Sequence, residues 1–188
     1  MCRSSKARKR TLASLFLFTL ATPTYSAPVQ FTLAPPSVQI GFRAQALGLI
    51  SIDGRFQAFT GTLTLDDSDP AVCTIALRAE TASLRMPQQN MTDDATGPDL
   101  LDVTRYPEFR IDGACDGPVL RATLQLHGLK RPVTLDVTRE RRQFIATGTI
   151  NRAEWGMGAH PLLAGPQVRF TITAGLPAAV APATFTPH

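Results

Sequence analysis

The 188-residue sequence contains few charged and aromatic residues and lacks the common catalytic motifs. Charged residues make up 18% of the chain and aromatic residues 7%. There is no G-x-S-x-G nucleophile elbow and no glycine-rich phosphate loop, and the three histidines do not have the close spacing of metal ligands. A catalytic triad assembled from distant parts of the chain leaves no local motif, so an enzyme stays an open alternative.

Acidic residues are absent from residues 1–26, which hold five of the 19 Lys and Arg residues. The rest of the chain keeps 14 basic residues against 15 acidic ones, so the net charge of +4 comes from the N-terminus. Because the remaining chain has no excess of positive charge, we do not expect it to bind nucleic acid or an anionic membrane.

The basic N-terminus has the layout of a secretory signal peptide. An apolar run from Thr11 to Thr22 follows the basic residues, and small and polar residues close the segment. The run is shorter than the roughly 20 residues that span a bilayer, although an uncleaved anchor is the alternative. Thr24 and Ser26 favour cleavage after Ser26. We therefore predict a signal peptide at 1–26, one domain at 27–176, a Pro- and Ala-rich mobile tail at 177–188, no stable membrane span after cleavage, and a periplasmic or extracellular location.

Cysteine is scarce, and only Cys73 and Cys115 remain after the signal peptide is removed. An even pair in an exported domain predicts a disulfide bond, which would close a loop of 42 residues. Two reduced, buried cysteines in unconnected places are the alternative.

Alternation of apolar and polar residues, the pattern of a half-buried strand, recurs in eight segments. The segments are Val38–Ala46, Phe59–Leu65, Cys73–Glu80, Phe109–Cys115, Leu120–His127, Val133–Thr138, Phe144–Ile150 and Val168–Thr173. Short turns rich in Gly, Pro and Asp separate most of them, which indicates antiparallel neighbours. In the one long connection, GPDLLDV (Gly97–Val103) predicts a short helix that begins at Pro98. The nearby Asp93, Asp94 and Asp99 are interpreted as part of a solvated loop.

The apolar faces of eight antiparallel strands must be covered, and closing the sheet into a barrel covers them. We therefore predict an all-β fold, a single eight-stranded antiparallel barrel with one short helix. Many small residues on the apolar face leave room for a ligand, although they also ease tight strand curvature. They are Ala44, Ala46, Gly61, Ala79, Gly113, Ala122, Ala146 and Gly148.

Four segments together resemble the YceI-like family of exported lipid- or polyisoprenoid-binding proteins. They are GRFQAFTGTLTLD (Gly54–Asp66), GPDLLDVTRYPEFRI (Gly97–Ile111), LQLHGLKRPVTLDV (Leu124–Val137) and FIATGTINRAEWGMG (Phe144–Gly158). Their order and spacing also agree with the family. The resemblance implies a lipocalin-like barrel that holds a long-chain apolar amphiphile, such as an isoprenoid quinone, a polyprenol, or a fatty acid or amide. It implies a non-enzymatic periplasmic carrier that needs no metal and no cofactor besides the bound lipid.

The sequence departs from the family at three polar positions. Where members often carry Asp-x-x-His-Ser, His-x-Gly and Arg-Asp-x-His-Leu, this chain has Ala34–Ser37, Ala46–Gly48 and Met91–Ala95. A weakly polar head group, such as a quinone, fatty acid or amide, is therefore expected to suit this chain better than a pyrophosphate.

The expected ligand contacts are apolar residues on the inward faces of the strands, each with core packing as its alternative role. The predicted wall comprises Phe42, Phe56, Phe59, Leu63, Ile75, Leu77, Phe109, Leu124, Leu126, Phe144, Ile150, Trp155 and Phe170. Trp155 could instead plug one end of the barrel. Arg152 is the candidate head-group contact, with a strut that satisfies loop carbonyls as its alternative.

Two other classes of function stay open. In the first, the barrel is filled and the protein is an interaction module that partners an envelope or membrane quinone-redox protein. In the second, the protein is a hydrolase or isomerase that acts on a bound lipid. A lipid or isoprenoid is the expected partner, and a homodimer is left open.

Overall fold

The computed structural model describes residues 28–177 except 47–48, 67–68, 70, 141 and 160–163. The predicted signal peptide and residues 178–188 of the predicted tail lie outside the described residues. No helix in the described part of the chain has the length and apolar character needed to cross a membrane.

The residues that the structure describes form eleven strands, one α-helix and two 3-10 helices. The strands are β1 (Val29–Leu33), β2 (Val38–Ala46), β3 (Ile50–Phe56), β4 (Phe59–Leu65), β5 (Cys73–Glu80), β6 (Leu84–Arg85), β7 (Glu108–Asp116), β8 (Val119–Leu126), β9 (Leu129–Glu140), β10 (Gln143–Asn151) and β11 (Ala164–Gly175). The helix α1 spans Gln89–Thr96, and the 3-10 helices span Thr81–Ser83 and Arg152–Trp155.

All strands belong to one antiparallel sheet in the order β1-β4-β5-β7-β8-β9-β10-β11-β2-β3-β6. Strands β7 to β11 follow one another as neighbours, and β2 then pairs with β11, so Phe42 lies opposite Phe170. The sheet curls into a half-barrel whose apolar side chains face inward, which is consistent with the lipocalin-like class.

The all-β class with one helix is confirmed, but the predicted count of eight strands is wrong. The eight predicted segments correspond to β2, β4, β5 and β7–β11, and the sheet also contains β1, β3 and β6. Segment β3 also alternates, with Ile50, Ile52 and Phe56 at one parity and polar residues between them, so the sequence held a signal for this strand that the prediction missed, although Ile50 is 56% exposed. The two residues of β6 are too few to show any periodicity.

The helix occurs one segment earlier than predicted. Helix α1 ends at Thr96, and the backbone N–H of Gly97 donates a hydrogen bond to the Asp94 carbonyl. Pro98 follows the end of the helix instead of beginning a new one, and it is common at such positions because it cannot continue a helix. The predicted helix at Gly97–Val103 is therefore wrong, and that segment forms turns.

One end of the half-barrel is closely packed and contains the predicted disulfide bond, which the structure confirms. Cys73 on β5 lies directly opposite Cys115 on β7, with 4.8 Å between their Cα atoms. Leu65, Leu120 and Leu135 are fully buried near this end. Because this end is filled by side chains, the space for a ligand lies at the opposite end of the same strands.

Candidate functional site

A cavity of ≈ 540 Å³ opens at the end of the half-barrel opposite the disulfide bond. Phe109 begins the inward face of β7 at this end, whereas Cys115 lies at the far end of the same strand. Helix α1 and the turns after it form one side of the cavity, and strands β2, β3, β7, β8, β10 and β11 form the others. The volume falls within the roughly 300–1,000 Å³ of small-molecule pockets.

The structure brings seven of the thirteen predicted wall residues together around this cavity. They are Phe42, Phe56, Phe109, Leu124, Leu126, Ile150 and Phe170. The other six are buried in the core outside this cavity: Phe59, Leu63, Ile75, Leu77, Phe144 and Trp155. Phe59 also lines a second cavity of ≈ 390 Å³ near Pro35 and Pro36. Strand parity assigned all of the thirteen except Phe56 and Trp155 to the inward face, but parity alone does not give the depth at which packing ends and the cavity begins.

Aromatic rings form much of the cavity wall. The rings of Phe56 and Phe109 meet edge to face with centroids 4.8 Å apart, and the Phe42 ring lies 6.4 Å from that of Phe56. A Cβ atom at Gly54 would come within 2.5 Å of the Phe42 ring, and one at Gly148 within 2.7 Å of the Phe170 ring. These two glycines therefore give space to the aromatic rings rather than directly to a ligand.

Residues outside the predicted strands supply a large part of the lining. The long connection contributes Met86, Met91, Leu100 and Leu101, and the turn after β10 contributes Met157. They follow no strand alternation, so the periodicity argument missed them. The apolar pair in GPDLLDV was the available signal, since an apolar pair in a loop that runs over a sheet needs a surface to pack on.

Arg152 lines the cavity, but its guanidinium is directed to the backbone. Its Nε donates to the Gly165 carbonyl at 3.0 Å, and Nη1 donates to the Met157 carbonyl. The side chain is only 6% exposed, and this burial lowers the pKa of the guanidinium from its usual value. An arginine remains protonated even so. The geometry matches the strut alternative, and a direct contact with a ligand head group stays a prediction.

Trp155 is 2% exposed and lies outside the cavity, which fits its predicted alternative as a plug. The 3-10 helix that carries it begins where the Asn151 side chain accepts a hydrogen bond from the Ala153 N–H at 3.1 Å. It ends at Gly156, whose φ of 76° is the left-handed conformation that glycine adopts readily. The Asn-Arg-x-x-Trp-Gly segment thus places Trp155 in the core and Arg152 at the cavity.

Three carboxylates also line the cavity: Asp93 and Asp94 in α1 and Asp99 in the following turn. The sequence interpretation placed them in a solvated loop, and all three are exposed. The sequence interpretation did not predict that these aspartates would line a cavity. No group of three or more His, Cys, Asp or Glu residues in the described part of the chain is arranged to hold a metal ion.

A curled antiparallel sheet with an apolar cavity at one end defines a small all-β protein of the lipocalin-like barrel class. The YceI-like domain model matches residues 31–176. The chain therefore belongs to the YceI-like family, as the sequence resemblance predicted.

Relatives in sequence and structure agree with this assignment. A UPF0312 protein of Pseudomonas putida (strain W619) is 28% identical over 168 residues, covering 79% of this chain and 88% of its own. Protein YceI of Shigella flexneri is 31% identical over 102 residues, which cover 52% of this chain and 53% of its own.

Solved structures share the fold at low sequence identity. BcnA of Burkholderia cenocepacia has a TM-score of 0.59 at 16% identity and covers 73% of this chain and 96% of its own. A polyisoprenoid-binding domain from Saccharophagus degradans has a TM-score of 0.56 at 15% identity and covers 80% of this chain and 100% of its own.

Proposed function

We propose that the protein is a periplasmic carrier that holds a long-chain apolar amphiphile in the cavity between α1 and the sheet. The ligand class comprises isoprenoid quinones, polyprenols and fatty-chain acids or amides. The observation that carries the proposal is the ≈ 540 Å³ cavity, whose walls are mostly aliphatic and aromatic side chains. Burial of several hundred Å² of apolar chain at about 25 cal/mol per Å² contributes on the order of 10 kcal/mol before association costs.

The cavity favours the carrier over the interaction module. A filled barrel would bury its inward side chains throughout, whereas Phe42, Phe56 and Phe170 remain only half-buried at the open end. Because exposed aromatic rings around a concavity are stabilised when an apolar partner covers them, a ligand explains these residues and a filled core does not. The name of the relative from Saccharophagus degradans supports the same ligand class.

The proposed role is binding without catalysis. The titratable side chains around the cavity, within the described part of the chain, are Arg152 and three aspartates. Arg152 donates hydrogen bonds to the Gly165 and Met157 carbonyls, so its guanidinium is engaged by the backbone. The basic and apolar order of residues 1–26 supports export, and fractionation of the native host, with the mature N-terminus sequenced, tests it.

Native mass spectrometry with lipid extraction, on mature protein isolated from its own periplasm, tests the carrier proposal. We expect a bound species of defined mass that is released by organic solvent. A protein that arrives without ligand, and that takes up no quinone, prenol, fatty acid or fatty amide in vitro, would contradict the proposal. The filled-barrel interaction module would then become the leading explanation.

A further inference from the structure

The cavity has an unequal distribution of charge between its wall and its mouth. The positive side chain that lines it in the described part of the chain, Arg152, is buried and donates to two backbone carbonyls. The negative side chains, Asp93, Asp94 and Asp99, are exposed on α1 and the turn beside the opening. A head group at the mouth would therefore meet carboxylates before it met a cation.

The hydrogen bond that Asp93 accepts does not come from a cation. Asp93 Oδ1 accepts a hydrogen bond at 2.8 Å from the Gln89 side-chain amide, which is neutral. On the neighbouring strands, the Arg43 guanidinium binds Asp53 at 2.7 Å and lowers the pKa of that carboxyl group. The charge of Arg43 is thus largely offset by Asp53 and does little to attract an anion.

The position of the two carboxylates on α1 also bears on the negative charge at the cavity mouth. Asp93 and Asp94 lie in the second half of an eight-residue helix that has no basic residue in its last turn. Carboxylates near a helix C-terminus are unfavourable for the helix itself, because the carbonyl end of the helix dipole is negative. Helix stability therefore does not account for their placement beside the cavity.

We infer that the cavity selects amphiphiles with an uncharged head group and disfavours carboxylate and phosphate heads. The inference rests on the proposed carrier function and narrows its ligand class to neutral heads such as quinones, alcohols and amides. Asp93 and Asp94 are its specificity-determining residues, since an ionised head would lie against like charges at the mouth. The apolar wall binds the chain in either case, so the head group alone decides between ligands of equal chain length.

A matched pair of ligands tests the inference. Decanamide and decanoate share one chain length and differ in head-group charge at pH 7. By titration calorimetry we expect the wild-type protein to bind decanamide about tenfold or more tightly than decanoate at low salt. Added salt should narrow the difference, because it screens charges at an exposed mouth.

Substitutions distinguish the effect of the carboxylates at the mouth from the effect of a change in the protein's net charge. Asp93→Asn with Asp94→Asn should strengthen decanoate binding about tenfold relative to decanamide binding. Asp112→Asn, at an exposed position on β7 that does not line the cavity, is the matched control and should change neither affinity.

Each outcome of these titrations bears on a different proposal. Equal affinity for both ligands in the wild-type protein, unchanged by the double substitution, would overturn neutral-head selection and leave the carrier function standing. Binding of neither ligand, nor of the longer amphiphiles named above, would overturn both.

Discussion

Phe56 on β3 and Phe109 on β7 pack edge to face, with ring centroids 4.8 Å apart, although their strands are not neighbours in the sheet. The contact joins two parts of the curled sheet across its interior. It therefore holds the cavity walls at a fixed separation, and the two rings differ in exposure: Phe109 is 6% exposed and Phe56 is half-buried at the cavity.

This difference predicts unequal effects of truncation. Phe109→Ala should lower the free energy of unfolding by about 3–5 kcal/mol, as expected for a buried aromatic ring. Phe56→Ala should cost less, because its ring is already partly exposed and its removal loses less buried apolar area. Urea titration of both variants measures the difference. Equal losses of stability would show that the space beside Phe56 is filled in solution.

A bulky residue at Ala44 should block the cavity. Ala44 on β2 lines the open end, so the indole of Ala44→Trp would occupy the volume that we assign to the ligand chain. We expect loss of co-purified lipid with a thermal midpoint close to that of the wild-type protein. Ala76→Trp, on the exposed face of β5, is the control and should keep its lipid. Full lipid occupancy in Ala44→Trp would place the ligand elsewhere.

The eight small inward residues show where sequence reasoning succeeded and where it failed. Their inward direction follows from strand parity, and Ala146 is indeed completely buried. Only Ala44 among the eight lines the ≈ 540 Å³ cavity. At Gly61 and Gly113 an added Cβ would come within 2.6 Å of a neighbouring strand's backbone, so these residues permit close strand curvature. Of the two alternatives in the sequence, curvature explains more of these positions than room for a ligand does.

The site could be predicted only in part because a large part of its lining comes from non-periodic segments. Strand alternation identified Phe42, Leu124 and Ile150, whereas Met91 and Leu101 come from α1 and a turn. The position of such segments depends on tertiary packing, which local periodicity does not encode. The disulfide bond was predictable from the number of cysteines and the inferred export, because only one pairing was available.

Loss of the disulfide bond should reduce stability without emptying the cavity. The bond closes a loop of 42 residues, for which the chain-entropy model gives about 4 kcal/mol. We expect the double variant Cys73→Ala, Cys115→Ala to unfold at correspondingly lower urea concentration. Because both cysteines lie at the packed end, the folded variant should retain its lipid affinity. A large loss of affinity at a temperature where the variant is folded would contradict the separation of the two ends.

Two glycines with similar backbone conformations allow the contact of Tyr106 with the β8–β9 turn to be measured. Gly128 has φ +74° and Gly117 has φ +63°, so alanine at either position pays the left-handed backbone cost of roughly 1–2 kcal/mol. A Cβ at Gly128 would also come within 2.6 Å of Tyr106 Cε1, whereas a Cβ at Gly117 would have nothing within 4 Å. Gly128→Ala should therefore lower the free energy of unfolding more than Gly117→Ala.

The Tyr106 ring also packs against His127 at a tilt of 49°, with ring centroids 4.2 Å apart, so displacement of the Tyr106 ring should disturb both residues. Thermal unfolding of the two variants makes the comparison, and equal midpoints would show that Tyr106 moves aside at no cost.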